Sequence, residues 1–288
     1  MEKALVLYMS VSGTTEKVAE SISAGLRCGG WQVDLRRLDE TAPVTFEDYG
    51  LLGIGYPTHH CRPPYPVTSY LRRLTHLDEL PVFVFLTYGF EPGDAGNLVR
   101  RALRQKGGWE LGYHKRRGAA RFLGYLKEGY LFSPEAPSEE DLAWSKRFGK
   151  TVAARVAVGG AGYERLPEDP APRAVDRVEG FLSNHVLTKA MYSRFFHLDF
   201  ARCTSCGLCM EQCPAGNITA DSEGKPIWGH DCLLCSNCER VCPENAISSP
   251  VDWSLFRPFY RYDVHRGRLD PDIPYRRVKL QRGRLEEA

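Results

Sequence analysis

Apolar residues in the first half of the chain come in short blocks of strand length, separated by stretches with helical spacing. Lys3–Met9 is one such block and leads straight into Ser10-Val-Ser-Gly-Thr-Thr15. Val18, Ile22 and Leu26 then recur at four-residue intervals up to Gly29-Gly30, predicting a helix. The rhythm predicts further strands over Trp31–Leu38, Leu51–Gly55, Pro81–Thr87 and Trp109–Tyr113, with helices over Pro66–Leu77 and Ala95–Gly107. Strands alternating with helices predict an α/β domain, a doubly wound parallel five-stranded sheet with helices on both faces. Ligands of such sheets bind beyond the carboxyl ends of the strands. Three segments reach that edge: Ser10–Thr15, Gly55–Cys61 and Thr87–Asn97.

After the fifth strand the rhythm breaks. Gly118–Pro137 carries Phe122, Tyr125, Tyr130 and Phe132, and reads as an insertion with a short strand or as a loop over the site. Pro137-Ser-Glu-Glu-Asp141 is a helix start, and the helix runs to about Val158. Gly159–Arg173 has the Gly and Pro punctuation of a boundary, and Val175–Phe196 reads as a helix. The predicted domains are 1–158, a linker with connecting helix over 159–196, a small α+β domain over 197–250, and a basic aromatic tail over 251–288.

The third of these holds the strongest chemistry. Of ten cysteines, eight fall between Cys203 and Cys242. Cys203-Thr-Ser-Cys206-Gly-Leu-Cys209-Met-Glu-Gln-Cys213-Pro214 is repeated as Cys232-Leu-Leu-Cys235-Ser-Asn-Cys238-Glu-Arg-Val-Cys242-Pro243. A secreted disulfide scaffold is expected in a shorter chain, and a zinc site shows paired C-x2-C elements with a longer spacer. An iron–sulfur cube instead needs three thiolates from one tight loop and a fourth from elsewhere, and where two such runs share a chain the last Cys serves the other cube. That rule assigns Cys203, Cys206, Cys209 and Cys242 to one 4Fe–4S cluster, and Cys232, Cys235, Cys238 and Cys213 to the other. Ile218 and Ile247 each follow a last Cys by five residues and are expected to pack between the two halves.

Charge changes the picture only locally. Residues 1–196 carry 26 basic and 23 acidic side chains, residues 197–250 carry 3 and 7, and residues 251–288 carry 9 and 6. The overall +2 does not nominate nucleic acid as a partner. No apolar run reaches the roughly 20 residues of a membrane span, and a cytoplasmic chain is expected. The tail interleaves Trp253, Phe256, Arg257, Phe259, Tyr260 and Arg261, a mix suited to stacking bases or to wrapping back over the acidic segment.

Strand, hydroxyl-rich glycine loop and helix together have the geometry of a phosphate site, because backbone N–H groups and the helix terminus face the anion, although Ser10–Thr15 reads also as no more than a capped helix start. Ser10-x-Ser12-Gly13-Thr14-Thr15 is similar to the FMN-phosphate loop of flavodoxins. Gly55-Tyr56-Pro57-Thr58 and Thr87-Tyr88-Gly89 look like the two loops that sandwich the isoalloxazine ring. With the Cys runs, the chain resembles fusions of a flavodoxin-like domain to a bacterial-type two-cluster ferredoxin domain over roughly residues 1–250. The resemblance implies FMN, with Ser10, Ser12, Gly13, Thr14 and Thr15 on the phosphate and Tyr56, Pro57, Thr58, Thr87, Tyr88 and Gly89 around the ring. Tyr56 and Tyr88 would be the stacking candidates, though both read equally as core aromatics. His59, His60 and Cys61 lie where a flavin edge would be exposed, or in a solvated loop.

These features predict an electron-transfer protein that passes electrons between FMN, two 4Fe–4S clusters and an external redox partner protein. One alternative is an FMN-dependent oxidoreductase acting on a small organic substrate. Another is an iron–sulfur sensor or nucleic-acid-binding regulator. No nucleophile–base pair stands out, so no catalytic residue is nominated.

Overall fold

The computed structural model describes residues 2–39, 41–159 and 165–287. In chain order the elements begin β1 (Lys3–Tyr8), α1 (Thr14–Cys28), β2 (Gln32–Arg37), β3 (Leu51–Pro57), α2 (Tyr65–Arg73), β4 (Pro81–Tyr88), α3 (Ala95–Gln105) and β5 (Trp109–Arg117). They continue with α4 (Leu123–Lys127), β6 (Tyr130–Phe132), α5 (Glu139–Ala157), α6 (Ala174–Leu182), α7 (His185–Ala190), β7 (His197–Leu198), α8 (Leu208–Glu211) and β8 (Ile218–Ala220). The last are β9 (Pro226–Trp228), α9 (Asn237–Val241), β10 (Ile247–Ser248), α10 (Arg257–Leu269), β11 (Tyr275–Gln281) and β12 (Arg284–Glu287). Two compact units result, Met1–Gly118 with Glu135–Val178 and Ala119–Pro134 with Glu179–Ala288. Residues 160–164 of the predicted boundary lie outside the described residues. No helix among the described residues is long and apolar enough to cross a membrane.

The first unit is the expected parallel five-stranded sheet, in the order β2-β1-β3-β4-β5. Helices cover both faces, which is why β1, β3 and β4 are almost continuously apolar. Phe83 and Phe85 on β4 face Gly53 and Gly55 on β3, where an added Cβ would come within 2.2 and 1.9 Å of the rings. On one face α1 and α5 meet through two glycines. A Cβ at Gly25 would lie 2.1 Å from the Lys146 carbonyl oxygen, and one at Gly149 2.2 Å from that of Ile22. Helix α5 starts from the capping box Ser138/Asp141. Beyond it, the buried Arg100 is ion-paired to Glu110 and donates to the carbonyls of Leu166 and Pro167, each at 3.0 Å. That tie holds the post-α5 segment on the unit.

Three elements differ from expectation. β5 runs on to Arg117, four residues past Tyr113, because it is an edge strand whose charged side chains need not be buried. The single helix expected over Val175–Phe196 is broken into α6, α7 and a 3-10 turn over Tyr192–Phe195. There the Asn184 side chain accepts the Leu187 N–H at 3.1 Å and starts a new helix. Residues 119–134 carry α4 and β6 and group with the second unit, since the buried β6 finds its partner in β11 of the tail.

The second unit holds the antiparallel pairs β7–β10 and β8–β9 and the three-stranded sheet β12-β11-β6. Ile218 and Ile247 share one core cluster with Leu198, Cys209, Cys238 and Cys242. The tail packs as α10 and a hairpin turning at Arg282-Gly283, both at positive φ as a two-residue turn requires.

Two outcomes are expected. Gly149→Ala forces α1 and α5 apart against rigid backbone and is expected to cost about 1–3 kcal/mol, read as a lowered denaturation midpoint in the full chain; an unchanged midpoint would refute the close-contact account. His114 is buried against Phe148 with a ring nitrogen 3.0 Å from the Ser145 hydroxyl, and burial first, then Arg116, pushes it from 6.5 down to about 3. A depressed imidazole favours the fold above pH 6.5, and this contribution declines by up to about 1.4 kcal/mol per pH unit below that value. Its NMR ring signals should stay unshifted from pH 7 to pH 5, and titration near 6.5 would contradict this.

Candidate functional site

Two groups of chemistry-bearing residues emerge, one in each unit. In the first unit the parallel register brings the carboxyl ends of β1, β3, β4 and β5 to one edge. The strand order reverses direction between β1 and β3, the crevice where doubly wound sheets hold their ligand. Gly13 stands at φ +79° as the residue before α1, a conformation open to glycine at little cost. The loop it allows leaves Ser12 exposed and Gly13 and Thr14 half-exposed, while Ser10 and Thr15 are buried at its base. Below the tip, the Thr15 and Thr87 hydroxyls meet at 2.8 Å and tie this loop to the end of β4. The Arg37 guanidinium at the end of β2 donates to the Ser10 carbonyl at 2.6 Å. Beside the loop, burial first and then the Glu16 carboxylate push the Tyr8 hydroxyl up to about 12.

The other two loops are stitched together. The Thr58 N–H donates to the Thr87 carbonyl at 2.7 Å and the Asp94 N–H to the Cys61 carbonyl at 3.2 Å. Gly93, at φ +55°, lies so close to Cys61 that a Cβ would meet its backbone oxygen at 2.4 Å. His60 and Cys61 both take positive φ, 48° and 59°. Pro57 and Thr58 are half-exposed and Thr87 is buried, with Tyr88 and Gly89 half-exposed beyond it.

Tyr56 corrects the sequence reading. It is wholly buried in β3 and its hydroxyl donates to the Ala95 carbonyl at 3.0 Å, so its ring belongs to the core and presents no face to a ligand. Tyr88 keeps an accessible position, with the Arg117 guanidinium 5.4 Å from its ring centre.

The rim also holds polar atoms that nothing in the described residues satisfies. Thr58 Oγ1, His59 Nδ1, Arg116 Nε and Arg117 Nη1 are buried without a hydrogen-bond partner. Burial, with a lesser contribution from His60, pushes His59 down to about 3, so its imidazole is neutral. Buried orphan groups of this kind are rare and expensive. Together with the hydroxyl-rich loop, they fit a polar cofactor at this edge. Sequence reasoning missed Arg37, Arg116 and Arg117. Arg37 was legible as the last charged residue of a predicted strand, but Arg116 and Arg117 fell outside the strand as it was drawn.

In the second unit the two Cys runs fold alike at every turn. Ser205 and Leu234 precede the second Cys of each run at φ 55° and 53°, and Gly207 and Ser236 follow it at φ 78° and 51°. After each Cys-Pro, Gly216 and Asn245 are again left-handed, at φ 60° and 49°. The crossing thiols match as well: Cys213 Sγ accepts the Asn217 N–H and Cys242 Sγ the Ala246 N–H, both at 3.3 Å. Left-handed backbone at Leu234 and Ser236 costs about 1–2 kcal/mol per residue. A loop that keeps it without glycine is shaped to turn its thiols inward.

The thiols fall into two sets. Cys203, Cys206, Cys209 and Cys242 line one cavity together with Ile247 and Leu198. Cys213 stands instead among Cys232, Cys235 and Cys238, each of which it disfavours as a thiolate. Burial pushes Cys232 up to about 11 and Cys235 to about 12, and it also raises Cys209 and Cys238. Among the described residues, no three His, Cys, Asp or Glu side chains converge tightly enough to grip a single metal ion. The four-thiol wall of the cavity fits a larger polynuclear centre, and loading it must expel thiol protons.

Comparison with known proteins agrees. A family model for a flavodoxin domain matches residues 5–126, and one for a 4Fe-4S dicluster domain matches residues 202–247. The chain joins these two domains. The first implies FMN and the second iron–sulfur clusters, and together they support an FMN- and iron–sulfur-containing redox protein. A protein named NAD(P)H dehydrogenase (quinone) from Acidovorax ebreus is 33% identical over 91 residues, 25% of this chain and 46% of that protein. The RNA polymerase subunit Rpo3 of Methanosarcina acetivorans is 42% identical over 88 residues, 30% of this chain and 32% of that subunit. The chain thus spans less than half the length of these curated relatives. Among solved structures, an archaeal flavodoxin superposes with a TM-score of 0.43 at 20% identity, covering 54% of this chain and 99% of its own.

Tyr56→Phe tests the corrected role. Losing one buried hydrogen bond is expected to cost about 1 kcal/mol of stability and to leave flavin affinity within twofold. A large loss of flavin affinity at unchanged stability would return Tyr56 to the site.

Proposed function

We propose that the chain is an electron-transfer flavoprotein that exchanges electrons among FMN, two 4Fe–4S clusters and an external redox partner protein in the cytoplasm. The observation that carries the proposal is the twofold repetition of the left-handed Cys loops, with the thiols sorted across the repeat. Cys203, Cys206, Cys209 and Cys242 would hold one cluster, and Cys232, Cys235, Cys238 and Cys213 the other. Ser10, Ser12, Gly13, Thr14 and Thr15 would form the phosphate loop, with Ser12 and Thr14 offering hydroxyls at the tip and Ser10 and Thr15 shaping it from below. Pro57, Thr58, Thr87, Tyr88 and Gly89 would border the ring, with Tyr88 as the stacking residue.

When bound, FMN supplies a centre that exchanges electrons in pairs or singly, while each cube exchanges one. This chain's residues would contribute position and electrostatics. The orphan Thr58 hydroxyl and the neutral His59 imidazole lie where a flavin edge would seek hydrogen bonds. A second reading, reduction of a quinone by this flavin domain, draws on the partial likeness to the NAD(P)H dehydrogenase (quinone) of Acidovorax ebreus. Steady quinone turnover with NAD(P)H and no protein partner would favour it.

Anaerobic purification followed by iron, sulfide and flavin analysis is expected to give about eight irons and one FMN per chain. The crossed ligand sets make a sharper prediction. Cys242→Ser combined with Cys206→Ser removes ligands of one cube and should leave about four irons, whereas Cys242→Ser with Cys235→Ser should leave almost none. The reverse pattern would show that each run holds its own cluster.

A further inference from the structure

We propose that Arg117 sets a positive charge against the reduced flavin and so biases the first unit toward the fully reduced cofactor. The inference rests on the FMN reading above. Arg117 is the last residue of β5 and pairs in register with Tyr88, the last of β4, so it stands on the edge where the ring loops gather. Its guanidinium lies 5.4 Å from the centre of the Tyr88 ring, and the next residue, Gly118, approaches Thr14 of the phosphate loop.

Two observations give this cation something to do. Arg117 is half-buried with Nη1 shielded from water, and that atom has no hydrogen-bond acceptor among the described residues. Two carboxylates of the ring loops face other cations, Glu91 toward Arg173 at 3.5 Å and Asp94 toward Arg101 at 3.7 Å. A shielded N–H of a charged group without an acceptor is costly unless an acceptor arrives. Oxidised flavin is uncharged at its ring. Uptake of two electrons and one proton leaves the ring with one negative charge at neutral pH, the electrons coming from the clusters or the redox partner. A fixed guanidinium at this edge therefore favours the reduced form over the oxidised one, the type of tuning that charge near the ring nitrogens supplies. If Arg117 gripped only the phosphate, it would hold both forms equally and leave their balance unmoved.

The test uses the full chain, purified anaerobically with its clusters and reconstituted with FMN. For the parent, Arg117→Gln and Arg117→Lys, the two-electron flavin midpoint is measured by spectroelectrochemistry and the affinity for oxidised FMN by fluorescence titration. Arg117→Gln is expected to lower the preference for reduced over oxidised FMN about tenfold, a negative shift of about 30 mV for a two-electron couple. Arg117→Lys should keep the charge and stay within about threefold of the parent. Arg117→Met, which preserves the stem over Tyr88, replaces the Gln variant should that one fail to retain flavin. An unmoved midpoint in the neutral variant overturns the inference, even where affinity for oxidised FMN falls. A parent that takes up no FMN overturns the FMN reading and this inference with it.

Discussion

The parallel register of β1, β3, β4 and β5 decides what the first unit can do. Strands that run the same way end at the same edge, so every segment leaving a carboxyl end is delivered to one rim. The crossovers that parallel strands demand then cover both faces, and the sheet interior must be apolar throughout. Polar function has nowhere to go except the rim. Tyr56 illustrates the division: one residue before Pro57, at the start of the rim, its ring is still inside the sheet and its hydroxyl is spent on the Ala95 carbonyl. Thr58, two residues on, is already on the edge with an unanswered hydroxyl.

The second unit obeys a different constraint. One of its core clusters is aliphatic, Leu126, Leu131 and Val278, but another sets Cys209, Cys238 and Cys242 beside Leu198, Ile218 and Ile247. Burial disfavours the thiolate forms of Cys209 and Cys238. A metal centre that replaced the protons would convert that penalty into bonds and so couple metal loading to folding of this unit. The repeated left-handed residues fit the same account. Backbone strain at Leu234 and Ser236 persists where something else over-determines the loop, and in the first run glycine carries one of the two equivalent positions.

Much of this was legible in the residues. Periodicity read the five strands of the sheet because each central strand is an unbroken apolar run with glycine or polar punctuation, and the Cys spacing read the two repeated loops. What escaped has physical reasons. β5 was drawn too short because His114–Arg117 lacks apolar alternation, yet an edge strand tolerates such a sequence through its backbone ladder with β4. The break at Ser183-Asn184 was hidden because helical periodicity says nothing about a side chain that caps a new helix from within. The place of residues 119–134 was invisible because β6 pairs with β11, more than a hundred residues later, and no local pattern encodes a partner at that distance. Tyr56 reads both ways because an aromatic at a strand's end looks the same in sequence whether it faces the core or the rim.

Cations near the rim and near the thiol loops obey one logic. A guanidinium taken out of water is stable where negative charge or an acceptor meets it. Arg117 lacks such a partner among the described residues, and it sits at the rim. In the second unit the half-buried Arg240 is disfavoured by burial and then by Arg121, while the Cys235 sulfur favours its charge. The Lys225 ammonium donates to the Cys203 carbonyl at 2.7 Å, beside the other set of thiols. A cube held by four thiolates is anionic, and charge and hydrogen bonding near its sulfurs are among the levers that set its potential. Cations gathered on the thiol loops would offset that charge much as Arg117 would offset the reduced flavin. The second unit's cations already meet acceptors, Arg240 on the Asn237 side chain and Lys225 on the Cys203 carbonyl, whereas Arg117 Nη1 at the rim meets none among the described residues.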